Sequence, residues 1–272
     1  MDCDMEMNEK ELLMDQTQRR ITMIRMLLNE QERFRNIGVP ENEQEQRRLL
    51  RSLLNIRPAS PAKEDFLTIQ DTYLREEINQ KGIVDLRNLV PFRDGLYLWQ
   101  GDITTLRCDA IVNAANAGMT GCYLPCHNCI DNCIHTYAGI QLRNICAEIM
   151  DRQGTEEPVG QAKITPAYNL PCRYVIHTVG PMVEAELSEE KERQLASCYR
   201  SCLELAEENH VKSIAFCCIS TGVFRFPNKR AAEIAVETVR RYKEKTNSKI
   251  EVIFNVWKDI DFAIYRDMLS RD

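Results

Sequence analysis

The apolar residues in the first part of the chain recur at the spacing of amphipathic helices. Leucines and isoleucines follow this spacing over residues 12–28 and again over residues 46–54. A third helix is predicted to begin at Ser60, with a proline in its first turn, and to end near Gly82. Residues 1–90 are therefore predicted to form a helical N-terminal extension.

The pattern changes after residue 91, where short apolar runs alternate with longer amphipathic segments. Such short runs are typical of buried strands, and the longer segments are typical of helices. Alternating strands and helices indicate a three-layer α/β/α domain over residues 91–272, with a mostly parallel or mixed central sheet. The candidate strands are residues 96–99, 110–113, 164–167, 174–178, 214–219 and 251–256, and the candidate helices are residues 132–150, 188–209, 229–245 and 260–270.

Composition and charge argue against several classes of function. Hydrophobic residues make up 44% of the chain, yet no run approaches the ~18 apolar residues of a membrane span. Residues 1–8 are acidic and lack the apolar core of a secretory signal, so we expect an intracellular, cytoplasmic protein. The net charge of −6 argues against a nucleic-acid partner, although a pocket can still bind a small anion through backbone amides.

Polar side chains follow two of the predicted strands at the point where each strand ends. Asp102 can accept a hydrogen bond from an exocyclic amine, and Asn113 and Asn116 offer donors and acceptors to sugar hydroxyls. Ligands of open α/β sheets bind in the crevice at the carboxyl ends of the strands. The alternative is that these residues serve only as turn and cap residues, as their types commonly do.

Potential metal ligands are concentrated in one short segment. The chain has twelve cysteines, and in a reducing compartment these are thiols or metal ligands rather than disulfides. Thiolate and imidazole are the ligands that zinc prefers. The dense segment contains Cys122, Cys126, His127, Cys129, Cys133 and His135.

Two ligand sets are compatible with this segment. Four cysteines would form a closed structural site, whereas Cys122, His127 and Cys129 would leave the fourth position free, as in catalytic zinc sites. We interpret His135 as a helix histidine with satisfied hydrogen bonds near the pocket wall, and His177, in the middle of a strand, as structural.

Five motifs, in the same order along the chain, resemble those of the macrodomain family. The resemblance covers the chain from about residue 96 to the C-terminus, and implies the macrodomain fold with a pocket for ADP-ribose. The motifs are Gly-Asp-Ile-Thr at 101–104 with Asp-Ala-Ile-Val-Asn-Ala-Ala-Asn at 109–116, Ile-Asp-Asn-Cys-Ile-His at 130–135, Gly-Gln-Ala-Lys-Ile-Thr at 160–165, Tyr-Val-Ile-His-Thr-Val-Gly-Pro at 174–181, and Ile-Ser-Thr-Gly-Val-Phe at 219–224.

The resemblance also implies a role for each pocket residue. Asp102 would bind the adenine amine, Asn113 and Asn116 would hold the distal ribose, and residues 220–224 would wrap the diphosphate with backbone amides. Gly222 is expected to tolerate unusual backbone angles in this turn, and Phe224 would cover the distal ribose or join the core. The implied pocket residues are Asp102, Ile103, Asn113, Asn116, Thr120, Cys122, Ser220, Thr221, Gly222, Val223 and Phe224.

Residues 119–130 depart from the glycine-rich run that hydrolytic macrodomains carry at this place. The segment 121–132 resembles the zinc-containing macrodomains found beside class M sirtuins, with the pattern Gly-Cys-x-x-Pro-x-His-x-Cys-Ile-Asp-Asn. This resemblance favours Cys122, His127 and Cys129 as zinc ligands.

The resemblance implies a zinc-dependent hydrolase that removes mono-ADP-ribose from modified proteins, with an acidic side chain as the acceptor. Asp131 and Asn116 are the expected catalytic residues, and Asp131 could also serve as a helix N-cap. Zinc would either activate a water or orient the ribose. The expected partner is a lipoyl-carrier protein modified by a class M sirtuin.

Two other functions stay open from the residues alone. One is a non-catalytic module that reads ADP-ribose and uses zinc only to stabilise a loop. The other places the function in the N-terminal helices, as an interaction platform that carries the macrodomain.

Overall fold

The computed structural model of the protein describes residues 14–270. The predicted helical positions Leu12 and Leu13 and the acidic residues 1–8 lie outside this part of the chain. Within the described residues, three helices come first, and a mixed sheet with five further α-helices follows.

Helices α1 (Gln16–Glu30), α2 (Glu43–Ile56) and α3 (Glu64–Lys81) form the first part of the structure. Each buries one apolar face, as the helical spacing of their leucines and isoleucines predicts. The faces meet in a separate core of Met23, Ile24, Leu27, Leu28, Leu50, Leu53, Leu54, Phe66, Ile69, Tyr73 and Leu74, which Ile140 joins from a later helix.

The predicted start of α3 at Ser60 is wrong. The helix begins at Glu64, with Lys63 at the N-cap position. The backbone of Ser60 is held elsewhere, because its N–H donates to Asn144 at 3.1 Å and its carbonyl accepts from Arg57 at 2.9 Å. The predicted end is correct, since Gly82 follows α3 with a φ of 88°.

The main sheet has six strands in the order β2-β8-β7-β4-β6-β5. All neighbours are parallel except β5, which pairs antiparallel with β6. Strands buried on both faces read as nearly continuous apolar runs, which explains how the sequence located them. The strands are β2 (Leu96–Gln100), β4 (Ala110–Ala115), β5 (Ala162–Pro166), β6 (Tyr174–Val179), β7 (Ser213–Phe216) and β8 (Glu251–Val256), and a short parallel pair is formed by β1 (Val84–Asp85) and β3 (Leu106–Arg107).

Five helices accompany the sheet and complete the three-layer α/β/α arrangement that the sequence predicted. Helix α4 packs against β4, α6 against β5 and β6, and α8 against β2 and β8. The helices are α4 (Ile130–Ala138), α5 (Ile140–Gln153), α6 (Glu189–Glu208), α7 (Asn228–Thr246) and α8 (Asp259–Ser270). Over residues 14–270, no helix is both long enough and apolar enough to cross a lipid bilayer.

The helix predicted over residues 132–150 and the strand predicted over residues 214–219 both differ from the structure. The single helix predicted over residues 132–150 is two helices, because Gly139 adopts a φ of 97° that ends α4. A side chain there would also clash, since a Cβ would lie 2.8 Å from the Gln70 amide. The strand predicted to reach residue 219 ends at Phe216, where a tight loop begins.

Candidate functional site

The carboxyl ends of β2, β8, β7 and β4 lie at one edge of the sheet, because these strands are parallel. The loops that leave these ends contain Asp102, Asn116, the segment 220–224 and Trp257. The topology therefore gathers residues from distant parts of the chain into the crevice that the strand order predicts.

Asp102 follows β2, and hydrogen bonds fix its carboxylate. Oδ1 accepts from the Thr104 N–H at 3.0 Å and from the Thr104 hydroxyl at 2.6 Å, and Oδ2 accepts from Lys81 Nζ at 2.8 Å. Burial raises the pKa of Asp102, but the hydrogen bonds from Lys81 and Thr104 outweigh it and leave the pKa below its ordinary value. The charged carboxylate is thus held in place beside the buried Ile103.

Asp131 lies beside Asn113, which is part of β4, and Asn116, which directly follows that strand. Asn113 Nδ2 donates to Asp131 Oδ1 at 2.8 Å, and Asn116 Nδ2 donates to Asp131 Oδ2 at 3.2 Å. Asn116 Nδ2 also reaches the Gly121 carbonyl at 3.1 Å. Burial raises the pKa of Asp131 to about 6, and the hydrogen bonds from the asparagines oppose this rise. The two amides therefore orient a buried carboxylate at the carboxyl end of the sheet.

Asp131 does not cap α4, as one interpretation of the sequence expected. The helix begins one residue earlier, at Ile130, and the N-cap is Cys129, whose Sγ accepts from the Asn132 N–H at 3.4 Å. Asp131 is thus free of the capping role, and its carboxylate points to Asn113 and Asn116 instead.

The side chains of Cys122, His127 and Cys129 come together on the segment before α4. Their potential ligand atoms all lie within 4.8 Å of one another, and Cys122 Sγ lies 3.6 Å from His127 Nδ1. Each of the three side chains is half-buried. Two thiols and one imidazole are a zinc donor set that leaves a fourth position for another ligand.

The other two cysteines of the segment point away from this cluster. Cys126 Sγ lies 3.2 Å from the Ser52 hydroxyl, and Cys133 Sγ lies 3.6 Å from the guanidinium of Arg51. Both contacts are made with helix α2. The closed four-cysteine set is therefore not assembled within the described residues.

The electrostatic surroundings of Cys129 suit a cation. Burial raises the pKa of its thiol to about 12, and the nearby Cys122 and Asp131 add to the rise. A thiolate at this position is therefore disfavoured unless a positive charge offsets the repulsion, which is what a soft divalent metal does. The donor set and its surroundings both fit zinc.

A second group of potential ligands, His135, Cys146 and His177, is fully buried behind Asp131. His177 is structural, as predicted: its Nδ1 lies 3.2 Å from Asn113 Nδ2 and its Nε2 lies 3.0 Å from the Thr165 hydroxyl. Burial lowers the pKa of His177 to about 3, so the ring is neutral. Both of its nitrogens are already engaged within the fold.

His135 differs from its sequence interpretation as a histidine with satisfied hydrogen bonds. Neither ring nitrogen has a hydrogen-bond partner among residues 14–270, although Nε2 lies 3.5 Å from Asp131 Oδ1. Burial lowers its pKa well below the ordinary value, so the ring is neutral in this position. The ring also packs against Gly121, where a Cβ would come within 2.8 Å of it.

The loop after β7 has its unusual backbone angle at Ser220 rather than at Gly222. Ser220 has a φ of 66°, whereas Gly222 is not in the left-handed region, so the loop does not use the conformational tolerance expected of Gly222. Ser220 is placed this way because its carbonyl accepts from the Phe226 N–H at 3.0 Å, which closes the loop. Within the described chain, the N–H groups of residues 222–224 take part in no hydrogen bond.

The remaining predicted pocket residues lie along this edge. The carbonyl of Thr120 accepts from Arg143 Nε at 2.8 Å, and the Thr221 hydroxyl donates to the Cys218 carbonyl at 3.0 Å. Val223 is exposed, and Phe224 is half-buried rather than part of the core.

Sequence reasoning missed the contributions of the first three helices. Lys81 of α3 contacts Asp102, and Arg51 and Asn55 of α2 contact the segment that carries the cysteines. No local pattern signals such contacts, because the partners lie 21 to 76 positions apart in the chain.

Several known proteins match this chain in sequence. The profile of the Macro domain family matches residues 112–235. A protein-ADP-ribose hydrolase of Treponema medium is 56% identical over 261 residues, which is 94% of this chain and 100% of the relative. A protein of the same name from Staphylococcus aureus strain MSSA476 is 48% identical over 252 residues, 90% of this chain and 94% of the relative.

A solved structure with a bound ligand also matches. The Trypanosoma brucei macrodomain in complex with ADP-ribose superimposes with a TM-score of 0.62 at 29% identity. The match covers 80% of this chain and 94% of the other.

Proposed function

The chain belongs to the macrodomain family, and we propose that it is a zinc-dependent hydrolase that releases ADP-ribose from mono-ADP-ribosylated proteins. The observation that carries the proposal is the cluster of Cys122, His127 and Cys129 directly before the buried carboxylate of Asp131. The near full-length relatives named protein-ADP-ribose hydrolase support the reaction.

Residues along the crevice match the chemical groups of ADP-ribose, from the adenine to the distal ribose. The fixed carboxylate of Asp102 is the acceptor for the adenine amine, with the Ile103 backbone beside it. The unengaged N–H groups of 222–224 are donors for the diphosphate, in a loop that Ser220 closes. Thr120 and Cys122 lie on the segment that would face the distal ribose.

Cys122, His127 and Cys129 would hold zinc through two thiolates and one imidazole. When bound, zinc supplies a Lewis acid that stabilises negative charge beside the distal ribose.

Asp131 would act as the general base of the reaction. Water adds to the anomeric carbon of the distal ribose, and the bond from that carbon to the modified side chain breaks. The water proton passes to Asp131, and an acidic acceptor leaves as a carboxylate. Asn113 and Asn116 hold the Asp131 carboxylate by both oxygens, which fixes its direction toward the bound sugar.

The amide group of Asn113 faces both Asp131 and His177, and that of Asn116 donates to Asp131 and to the Gly121 carbonyl. With these donors engaged, what an asparagine can offer a ribose hydroxyl is an acceptor. Asn116, which is half-buried, is the asparagine that can offer its amide oxygen to a ribose hydroxyl, whereas Asn113 is fully buried. The proposal also includes an expected substrate. This is a lipoyl-carrier protein to which a class M sirtuin has attached ADP-ribose on an acidic side chain.

The test is a hydrolysis assay on proteins that carry ADP-ribose through defined linkages, with the zinc content of the enzyme measured in parallel. We expect release of ADP-ribose from acidic side chains by the wild type, and none by Cys129→Ala, which should still bind free ADP-ribose. Tight binding of ADP-ribose by wild-type protein without turnover on any linkage would instead identify a reader module.

A further inference from the structure

The segment that carries the proposed zinc ligands packs against the N-terminal helices. We call residues 122–129 the ligand loop. The Cys126 N–H donates to Asn55 Oδ1 at 2.9 Å, and Arg51 donates to the His127 carbonyl at 2.7 Å. Both partners lie on α2, and Asn55 is 1% exposed. The ligand loop and α2 are therefore joined by specific hydrogen bonds that involve a buried side chain.

The ligand loop needs an external partner because it has little regular structure. Cys126 adopts a φ of 54°, a left-handed conformation that costs a non-glycine residue roughly 1 kcal/mol. The hydrogen bond from its N–H to Asn55 holds it there. The turn at Cys126 lies between Cys122 and the other two ligand residues, His127 and Cys129.

Arg51 connects the parts of the chain that carry the three ligands. Its guanidinium donates to the His127 carbonyl and, at 3.0 Å, to Asn132 Oδ1. The same Asn132 donates from Nδ2 to the Cys122 carbonyl at 3.3 Å, and its N–H reaches Cys129 Sγ at 3.4 Å. One arginine and one asparagine thus link all three ligand residues.

Helix α2 is also anchored to the macrodomain beyond the loop. Asn55 Nδ2 donates to the Thr136 hydroxyl on α4 at 2.9 Å. Arg143 of α5 donates to the Leu54 carbonyl at 3.0 Å, and its Nε reaches the Thr120 carbonyl. The helix therefore has a fixed position relative to the pocket.

We propose that Arg51 and Asn55 are positioning residues that set the geometry of the ligand loop, which makes the N-terminal helices a part of the active site. This inference rests on the proposed function, because it assumes that the ligand loop binds zinc. It replaces the alternative in which the N-terminal helices serve as a separate interaction platform that carries the macrodomain.

The test measures the metal site directly rather than activity alone. Arg51→Met, Arg51→Lys and Asn55→Ser are compared with the wild type for zinc affinity, by competition with a chromophoric chelator. The absorption spectrum of the cobalt-substituted proteins reports ligand geometry. Arg48→Ala is the matched control, because Arg48 lies one turn earlier on α2 with an exposed side chain.

Loss of a group that orients metal ligands typically weakens metal binding by about 10- to 100-fold. We expect a loss of this size and an altered cobalt spectrum for Arg51→Met and Asn55→Ser, with partial recovery in Arg51→Lys. Arg48→Ala should match the wild type. Thermal melts establish that each variant is folded before binding is measured, and the milder Arg51→Lys and Asn55→Ser guard against loss of folding.

The result that overturns the inference is folded Arg51→Met and Asn55→Ser protein with wild-type zinc affinity and cobalt spectrum. A wild-type protein that binds no zinc would instead overturn the proposed function on which the inference rests. The two failures are thereby distinguished.

Discussion

Lys81 Nζ lies 2.8 Å from Asp102 Oδ2, so the last turn of α3 contacts the carboxylate that is proposed to bind adenine. The ammonium group also lies 3.4 Å from the centre of the Tyr137 ring on α4, which restricts its position. The N-terminal helices therefore reach the adenine end of the crevice through Lys81, and the metal end through α2.

Replacing Lys81 with methionine should weaken the binding of ADP-ribose. Asp102 would lose one of the hydrogen bonds that lower its pKa and hold its direction. A hydrogen bond to a charged group contributes about 1.5–3 kcal/mol, and solvent exposure reduces this contribution. We therefore expect a several-fold loss in affinity. Isothermal titration calorimetry with free ADP-ribose measures it, and Lys81→Arg, which keeps the charge, is the control. Unchanged or tighter binding by Lys81→Met would show that Lys81 does not support Asp102.

The identity of the zinc ligands predicts a clear division among the cysteines. Cys122→Ser and Cys129→Ser should lose stoichiometric zinc, because each removes a ligand of the cluster. Cys126→Ser and Cys133→Ser should retain it, because those thiols contact Ser52 and Arg51 instead. Metal analysis of the purified proteins measures the ratio. Loss of zinc from Cys126→Ser or Cys133→Ser would favour the closed four-cysteine site.

Asp131→Asn should reduce turnover while ADP-ribose still binds. The substitution keeps the size of the side chain but removes its ability to accept a proton, and general-base catalysis contributes about 10²–10⁴-fold in rate. We therefore expect kcat to fall by at least ~100-fold. The matched control is Asp151→Asn, the same change at an exposed position of α5. Wild-type turnover in Asp131→Asn would remove Asp131 from the mechanism.

The geometry of the loop after β7 predicts that alanine lowers stability at one glycine and has little effect at another. A Cβ on Gly180 would clash with the side chains of Ser220 and Ile219, so Gly180→Ala must displace these side chains and should lower the free energy of unfolding by about 1–3 kcal/mol. A Cβ on Gly222 meets no atom within 4 Å, and its φ is ordinary. Gly222→Ala should therefore change stability by less than ~0.5 kcal/mol. Urea unfolding compares them, and a large loss in Gly222→Ala would contradict the loop geometry.

Much of the fold is predictable from local pattern. Strand β8 was predicted at its observed bounds, because a run of apolar residues flanked by polar ones marks a strand that is buried on both faces. The break at Gly139 was missed because it depends on a φ of 97° and on the packing of Gln70 from α3 against this position, and a local pattern shows neither. The error at Ser60 has the same origin, since Asn144 and Arg57 compete for its backbone.

The residues of the candidate site also fall into those that a local pattern reveals and those that it does not. Asp102, Asn116 and the cysteine segment are recognisable because their order and spacing lie within short motifs. Lys81, Arg51 and Asn55 are not, because their roles come from the packing of distant helices on the domain. The orientation of Asn113 and Asn116 toward Asp131 likewise depends on how α4 packs against β4.

The most direct test of the central claim compares turnover and ligand binding in the same zinc-depleted preparation. Wild-type protein is treated with a strong chelator, its residual zinc is quantified, and release of ADP-ribose from a mono-ADP-ribosylated protein is measured beside the affinity for free ADP-ribose. We predict loss of at least ~100-fold in turnover, little change in affinity, and recovery when one equivalent of zinc is returned. Full turnover by protein shown to be free of zinc would contradict the account.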